Sequence, residues 1–248
     1  MIKTIALKDL KLFFFDKKSV IITFVLPIVL ISLFTFAFSG MGDGKSNIGL
    51  VQAVAGTAIM MLLFSIAEIG GGLLEEKEGG TLKRLLYAPL KPSDILFGKM
   101  IAALIIAIAQ LIIMFLFAWV AFGLNIFTDI LSLLLLIIAV AFAVASFGIF
   151  LVSIAKTRKQ LSGLSSMLIL TMSAIGGSMI PLFAMPPIMQ KIAVVSVNYW
   201  GIQGFYDIFS RNLSLVELLP RIIVLLGIGL VMSFISLRLF KKNLFKMV

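Results

Sequence analysis

Cysteine and histidine are both absent from this 248-residue chain. Without cysteine there is no disulfide, no thiolate nucleophile and no Cys-bound metal. Without histidine the commonest general base and the commonest metal ligand are missing as well. Charge is scarce: 13% of the residues are charged, against about a quarter in an ordinary globular domain. What fills the chain instead is apolar, with 61% hydrophobic residues and a mean hydropathy of +1.19. A soluble domain of this length could not hide so much apolar surface, so the sequence calls for a bilayer as its solvent. The formal charge of +10 suits a nucleic-acid binder only where a soluble domain presents a basic face. The placement of the charges points elsewhere, and no nucleic-acid partner is expected.

A helix crossing the hydrocarbon core needs about 20 mostly apolar residues. Six segments meet that requirement, at about 20–38, 50–74, 95–122, 130–155, 161–183 and 218–239. Only helices and closed barrels satisfy their backbone in lipid, and runs this long lack the short alternating strands of a barrel. The expected fold is therefore an all-α polytopic membrane protein, with one transmembrane domain over residues 1–248. Lys and Arg concentrate in cytoplasmic segments. With both termini cytoplasmic, 17 of the 21 basic residues lie inside, leaving Lys45, Lys191, Arg211 and Arg221 outside. The first apolar run exceeds the 7–15 residues of a signal-peptide core, so it is expected to be retained. Ahead of it, "MIKTIALKDLKLFFFDKKS" intersperses lysines among apolar residues and reads as an amphipathic helix lying along the inner leaflet.

Several patterns that suggest chemistry do not hold. "SGMGDGKSN" at 39–47 ends like a phosphate-binding loop, but Ser39 stands where that loop needs its first glycine. No strand precedes it, so an external turn is the expectation and the chain has no nucleotide site of its own. Neither a zinc-protease helix nor a Gly-x-Ser-x-Gly elbow is present. Asp9, Asp16, Asp129 and Asp207 fall on termini and loops of opposite faces, where they cannot pair as catalytic carboxylates. The methionines and phenylalanines read as lipid-facing or packing residues. "SFGIF" and "SGLSSM" supply small residues that let helices approach closely. No catalytic residue and no metal site are expected.

One stretch breaks the apolar pattern: "LLEEKEGGTLKRLLYAPLKPSD" at 73–94. Glu75, Glu76 and Glu78 end a helix that two glycines, Gly79 and Gly80, then break. Thr81 can cap a short new helix over Thr81–Tyr87. Its Leu82, Leu85 and Leu86 form an apolar face beside Lys83 and Arg84, and Pro89 stops it. Ser93 or Asp94 then caps the third span. A connector between neighbouring spans needs only a few residues, so a structured cytoplasmic helix suggests a docking element. Glu68 is the one acid well inside an apolar run, which makes it either a pore residue or an interfacial acid paired with a nearby lysine.

Further on, Pro181, Pro186 and Pro187 prevent a simple helix from continuing outward. Tyr199, Trp200, Phe205 and Tyr206 suit the headgroup level. Two short outer helices are expected there, at about 187–195 and 199–209, dipping back as a re-entrant hairpin.

Taken together, Glu78-Gly79-Gly80-Thr81, Arg84-Leu85-Leu86, Pro89 and Gly98-Lys99 resemble the loop of membrane permeases of ABC transporters, type-2 exporter class, with one extra glycine. The segment 176–212 resembles that family's outer hairpin, and the likeness covers most of 50–240. The chain departs from many relatives in having only about ten residues, Ser39–Gly49, where they carry a large outer domain. The resemblance implies a half-channel in a prokaryotic cell (plasma) membrane, surrounded by lipids and pairing with a second permease chain. It further implies separate ABC ATPase subunits that bind ATP and Mg and drive export through residues 75–92. On residues alone, an ion-coupled secondary transporter and a non-transporting scaffold stay open. The first usually brings several buried ionisable groups, of which only Glu68 qualifies.

Overall fold

The computed structural model describes residues 2–38, 48–80 and 92–244, and every regular element among them is helical. The elements are α1 (Ile2–Phe15), α2 (Lys17–Phe38), α3 (Ile48–Glu78), α4 (Pro92–Phe122), α5 (Ile130–Ile154) and α6 (Arg158–Ile175). A 3₁₀ turn (Leu182–Ala184), α7 (Pro187–Ala193), α8 (Val197–Phe209) and α9 (Leu215–Leu244) complete them. The expected helix over Thr81–Tyr87 falls outside the described residues. So do Leu82, Arg84, Leu85, Leu86 and Pro89.

Five helices, α2, α3, α4, α5 and α9, are long and apolar enough to cross a membrane. They coincide with five of the six expected spans. The remaining one differs: a helix was expected over 161–183, yet α6 starts earlier and stops at Ile175. Its end is set by Gly176 and Gly177, the latter at φ +95°, where a side chain would be strained. Its first turn is Arg158-Lys159-Gln160, held by Thr157, whose hydroxyl accepts from the Gln160 N–H at 3.1 Å. Another difference lies at α4, which begins on Pro92. Proline suits a first turn, and Ser93 and Asp94 sit inside that turn instead of capping it.

At the centre stands α3. It packs against α2, α4, α5, α6 and α8, while α5 and α9 share the most extensive helix pair. Nearly all of α3 from Gly49 to Leu74 is buried, and Ile59, Leu62, Leu63 and Ile66 reach into one continuous core. The outer faces of the other long helices are apolar yet uncovered: Phe36 is 74% exposed, Val120 75%, Leu230 63%. Exposed apolar surface of that extent needs a nonpolar surrounding, which the bilayer supplies.

Close approaches of α3 are made by glycine. A Cβ at Gly56 would lie 2.7 Å from the Ser178 carbonyl oxygen, and one at Gly70 2.7 Å from Val152 Cγ2. By contrast, a Cβ at Gly72 meets nothing within 4 Å. Gly56→Ala is therefore expected to destabilise the chain by about 2 kcal/mol through overpacking against backbone. Gly72→Ala, on the same helix, should be neutral or stabilising by up to about 1 kcal/mol through helix propensity. Unfolding midpoints of the two variants in one detergent check this; equal midpoints would show that the seat at Gly56 is not tight.

Candidate functional site

Two clusters of polar residues sit at opposite ends of α3. The first gathers at its acidic C-terminal end, termed here the basic end because lysines and an arginine converge on it. α3 terminates after Glu78: the Gly79 N–H donates to the Glu75 carbonyl at 2.8 Å and Gly80 takes φ +73°. That break is the one expected from the two glycines.

Beside it, α1 lies across the start of α4. Gly98 permits this, since a Cβ there would be 2.8 Å from Ile5 Cβ and 3.1 Å from the Ile2 carbonyl oxygen. Ile5 and Ala6 are buried in the contact. The neighbouring Lys99, only 7% exposed, reaches Asp9 at 3.0 Å and Glu76 at 3.4 Å. Lys8 closes the ring, 2.5 Å from Glu76 and 3.2 Å from Asp9. Two cations and two carboxylates thus alternate, binding α1, α3 and α4 together. Burial works against the Lys8 ammonium, but the hydrogen bond to Glu76 and the charges of Asp9 and Glu76 outweigh it. Its pKa therefore stands above the ordinary lysine value. The raised pKa makes its contribution constant through neutral pH, lost only above the ordinary lysine range.

On the other flank, Arg158 opens α6 and grips the acidic face of α3. Its backbone N–H donates to Glu78 at 2.8 Å. Its guanidinium pairs with the Glu68 carboxylate, donates to the Glu68 carbonyl at 3.2 Å, and stands 3.3 Å from Glu75. Gly71 leaves the space, because a Cβ there would overlap the guanidinium. Lys77 donates to the Lys156 carbonyl at 3.0 Å. Of the expected coupling residues that are described, Glu75, Glu78 and Gly80 come together here, and Glu68 joins them. Glu68 was expected to pair with a lysine if it paired at all; its partner is an arginine ninety positions away. Asp9, Lys99 and Arg158 carry no local signal of these roles, apart from the Gly-Lys pair at 98–99.

At the hairpin end, Pro181 precedes the 3₁₀ turn, Pro186 caps α7 and Pro187 is its first residue. α7 and α8 occupy nearly the expected ranges. The aromatic expectation holds only in part: Tyr199 and Trp200 are half-buried, whereas Phe205 (0% exposed) and Tyr206 (7%) are packed into the bundle. The reason is that α8 is seated on α3 and α5 by Gly201, against Ile59, and Gly204, against Leu136. Polar contacts lock the seat. Gln52 of α3 donates to the Gly177 carbonyl at 2.6 Å and accepts from the Tyr206 hydroxyl at 3.1 Å. Asn198 donates to Ser173 at 3.0 Å and to Ser178 at 2.7 Å. Asp207, 2% exposed, pairs through one oxygen with Arg211 and through the other with Arg221 at 3.0 Å. The Arg221 guanidinium lies 5.5 Å from the Trp200 ring.

Among the described residues, no three Asp, Glu, His or Cys side chains converge as a metal site would require. The two ends offer ion pairs, helix seating and hydrogen bonds.

Comparison with known proteins identifies the family. Residues 1–210 match the family described as ABC-2 type transporter. The chain is 26% identical over 197 residues to the inner membrane transport permease YhhJ of Escherichia coli and of Shigella flexneri, covering 79% of this chain and 52% of each relative. It is 21% identical over 177 residues to the linearmycin resistance permease protein LnrN of Bacillus subtilis, covering 71% of this chain and 46% of that protein. The chain thus spans about half the length of the curated relatives it matches. With most of its length matched and five long apolar helices among the described residues, the chain belongs to the ABC-2 type transporter family.

Proposed function

We propose that the chain is the membrane-spanning half of an ATP-driven exporter in a bacterial inner membrane. It pairs with a second permease chain to form the translocation path and takes its motion from separate ATPase subunits, which hold ATP and Mg. In this reading the sixth span is α6. Its 18 residues rise roughly 27 Å, close to the hydrocarbon thickness of about 30 Å, and the turns at 176–184 complete the crossing. Both termini are then cytoplasmic, the basic end faces the cytoplasm and the hairpin end faces outward.

One observation supports the coupling role above the others: the last turns of α3 are tied on both flanks immediately before residues 81–91. The ring of Lys8, Asp9, Lys99 and Glu76 joins them to α1 and α4, and Arg158 joins them to α6. A push on the segment 81–87 from a docked ATPase is then shared by four helices at once. Glu68 serves as the distal tooth of the Arg158 grip, about two turns above Glu75. The pairing of Glu68 with Arg158 speaks against the ion-coupled alternative so far as that reading rests on Glu68.

The topology is checked by cysteine labelling, which the cysteine-free chain makes clean. Ser46→Cys and Ser214→Cys should react with an impermeant reagent from outside, Lys91→Cys and Lys241→Cys only from the cytoplasm. Labelling of Ser214→Cys from the cytoplasm alone would reverse the orientation.

The coupling role is checked by docking. Leu85→Asp and Arg84→Glu should each weaken co-purification with the ATPase by about thirtyfold, the loss of one contact worth about 2 kcal/mol, and abolish export. Lys242→Asp should do neither, and Thr81→Pro should act mildly, since proline fits a first turn. Equal retention of ATPase and transport by Leu85→Asp and Lys242→Asp would reduce residues 75–92 to a connector.

A further inference from the structure

At the hairpin end, a cleft of about 600 Å³ opens between the start of α3, the 3₁₀ turn, α7 and the C-terminal end of α8. Its volume falls in the range of small-ligand sites. Its lining is divided. Phe183 and Phe209 supply apolar walls, while Gln190, Gln203, Tyr206 and Arg211 supply polar groups.

Among the described lining residues Arg211 is the one ionised side chain. Its direction is fixed. The α8 terminus closes with the Arg211 N–H on the Tyr206 carbonyl at 3.0 Å and the Leu213 N–H on the Asp207 carbonyl at 2.9 Å. Asn212 between them takes φ +50°, a conformation asparagine tolerates better than most residues. One terminal nitrogen of Arg211 pairs with Asp207 and the other donates to Gln203 at 2.9 Å. A guanidinium has five N–H donors, and this side chain is 47% exposed, so donors remain for a ligand.

The local charge balance favours an anion. Asp207 is 2% exposed and spends both oxygens on two arginines, Arg211 and Arg221, which leaves one net positive charge in the triad. Glu217, held at the start of α9 by the Ser214 N–H at 2.9 Å and hydroxyl at 2.8 Å, keeps its charge but is not among the described residues that line the cleft. Beyond the cleft rim the surface turns apolar. Ile188, Ile192 and Val195 on and after α7 are 74%, 48% and 85% exposed, next to the cleft wall residue Phe183, itself 58% exposed. A ligand that fits has a compact anionic head for the cleft and hydrocarbon to lay along α7.

We propose that this cleft binds the headgroup of an anionic phospholipid of the outer leaflet, with Arg211 as its charged contact and the exposed face of α7 as the bed for its acyl chains. The leaflet follows from the orientation proposed above; the binding itself does not depend on it.

Native mass spectrometry of the full purified chain tests the site, with phosphatidylglycerol and phosphatidylcholine of matched chains as probes. Arg211→Gln should lower the retention of phosphatidylglycerol relative to phosphatidylcholine about fivefold, the factor one basic residue near an anionic headgroup contributes. Gln190→Glu should do the same by placing a carboxylate in the cleft while leaving the Asp207 triad intact. Arg211→Lys should keep the preference. The lysine-rich opposite end contributes equally to every variant and cancels in the comparison. If Arg211→Gln fails to fold, Gln190→Glu decides. An unchanged preference in Gln190→Glu overturns the proposal. Displacement of phosphatidylglycerol by inorganic phosphate also overturns it, by showing a site for a free anion. Labelling of Ser214→Cys separates this from the orientation: cytoplasmic labelling with an intact Arg211 effect would move the site to the inner leaflet and sink the orientation alone.

Discussion

Four carboxylates, Glu68, Glu75, Glu76 and Glu78, sit on the last three turns of α3, and the rest of the basic end is built to neutralise them. The C-terminus of a helix carries partial negative charge, so acids there are unfavourable unless cations approach. α3 supplies only Lys77 near its end. The remaining cations come from elsewhere in the chain: Lys8 from α1, Lys99 from α4 and Arg158 from α6. The neutralisation of one helix end thereby fixes where three other helices stand. Glycine makes the approach possible, at Gly98 for α1 and at Gly71 for the Arg158 side chain.

At its other end α3 is held by neutral hydrogen bonds and close packing. Gln52 bridges the Gly177 turn and Tyr206, and Gly56 lets the Ser178 backbone lie against the helix. A helix of 31 residues spans roughly 46 Å, enough to connect both faces of a bilayer as one rigid rod. Its interior faces are packed on five other helices, so it cannot bend locally at low cost. Displacement at the acidic end must therefore be expressed either as rigid movement of α3 with the hairpin, or as slip at the joints that hold it.

The elements were legible in the sequence where the cause is local. Long apolar runs gave α2, α3, α4, α5 and α9, two glycines gave the end of α3, and Pro186 and Pro187 gave the start of α7. Features with distant causes were not legible. Arg158 meets Glu68 across ninety positions, and nothing near either residue marks the other. The end of α6 was misplaced because hydropathy continues through Met179 to Phe183 while the backbone turns at Gly176 and Gly177. Tyr206 looked like a headgroup aromatic because its burial depends on Gly201 and Gly204 bringing α8 down onto α3 and α5. Glycine in an apolar run reads as a neutral residue until the helix opposite it is known.

The two joints at the basic end differ in a way that ranks them mechanically. In the ring, Lys99, Asp9 and Glu76 are 7%, 13% and 17% exposed and Lys8 is 38% exposed, and the charges balance two against two. Separating Lys99 from its carboxylates strands a buried cation, a loss that approaches about 3–5 kcal/mol where burial of both partners is complete. The Arg158 grip is wetter, with Glu68 and Glu75 60% and 62% exposed and Arg158 27%. Ion pairs of that exposure are worth about 0–1 kcal/mol each. Opening the grip therefore costs less than stranding Lys99 in the ring. Under the coupling proposed above, a push at the end of α3 passes to α1 and α4 through the ring and more weakly to α6 through the grip.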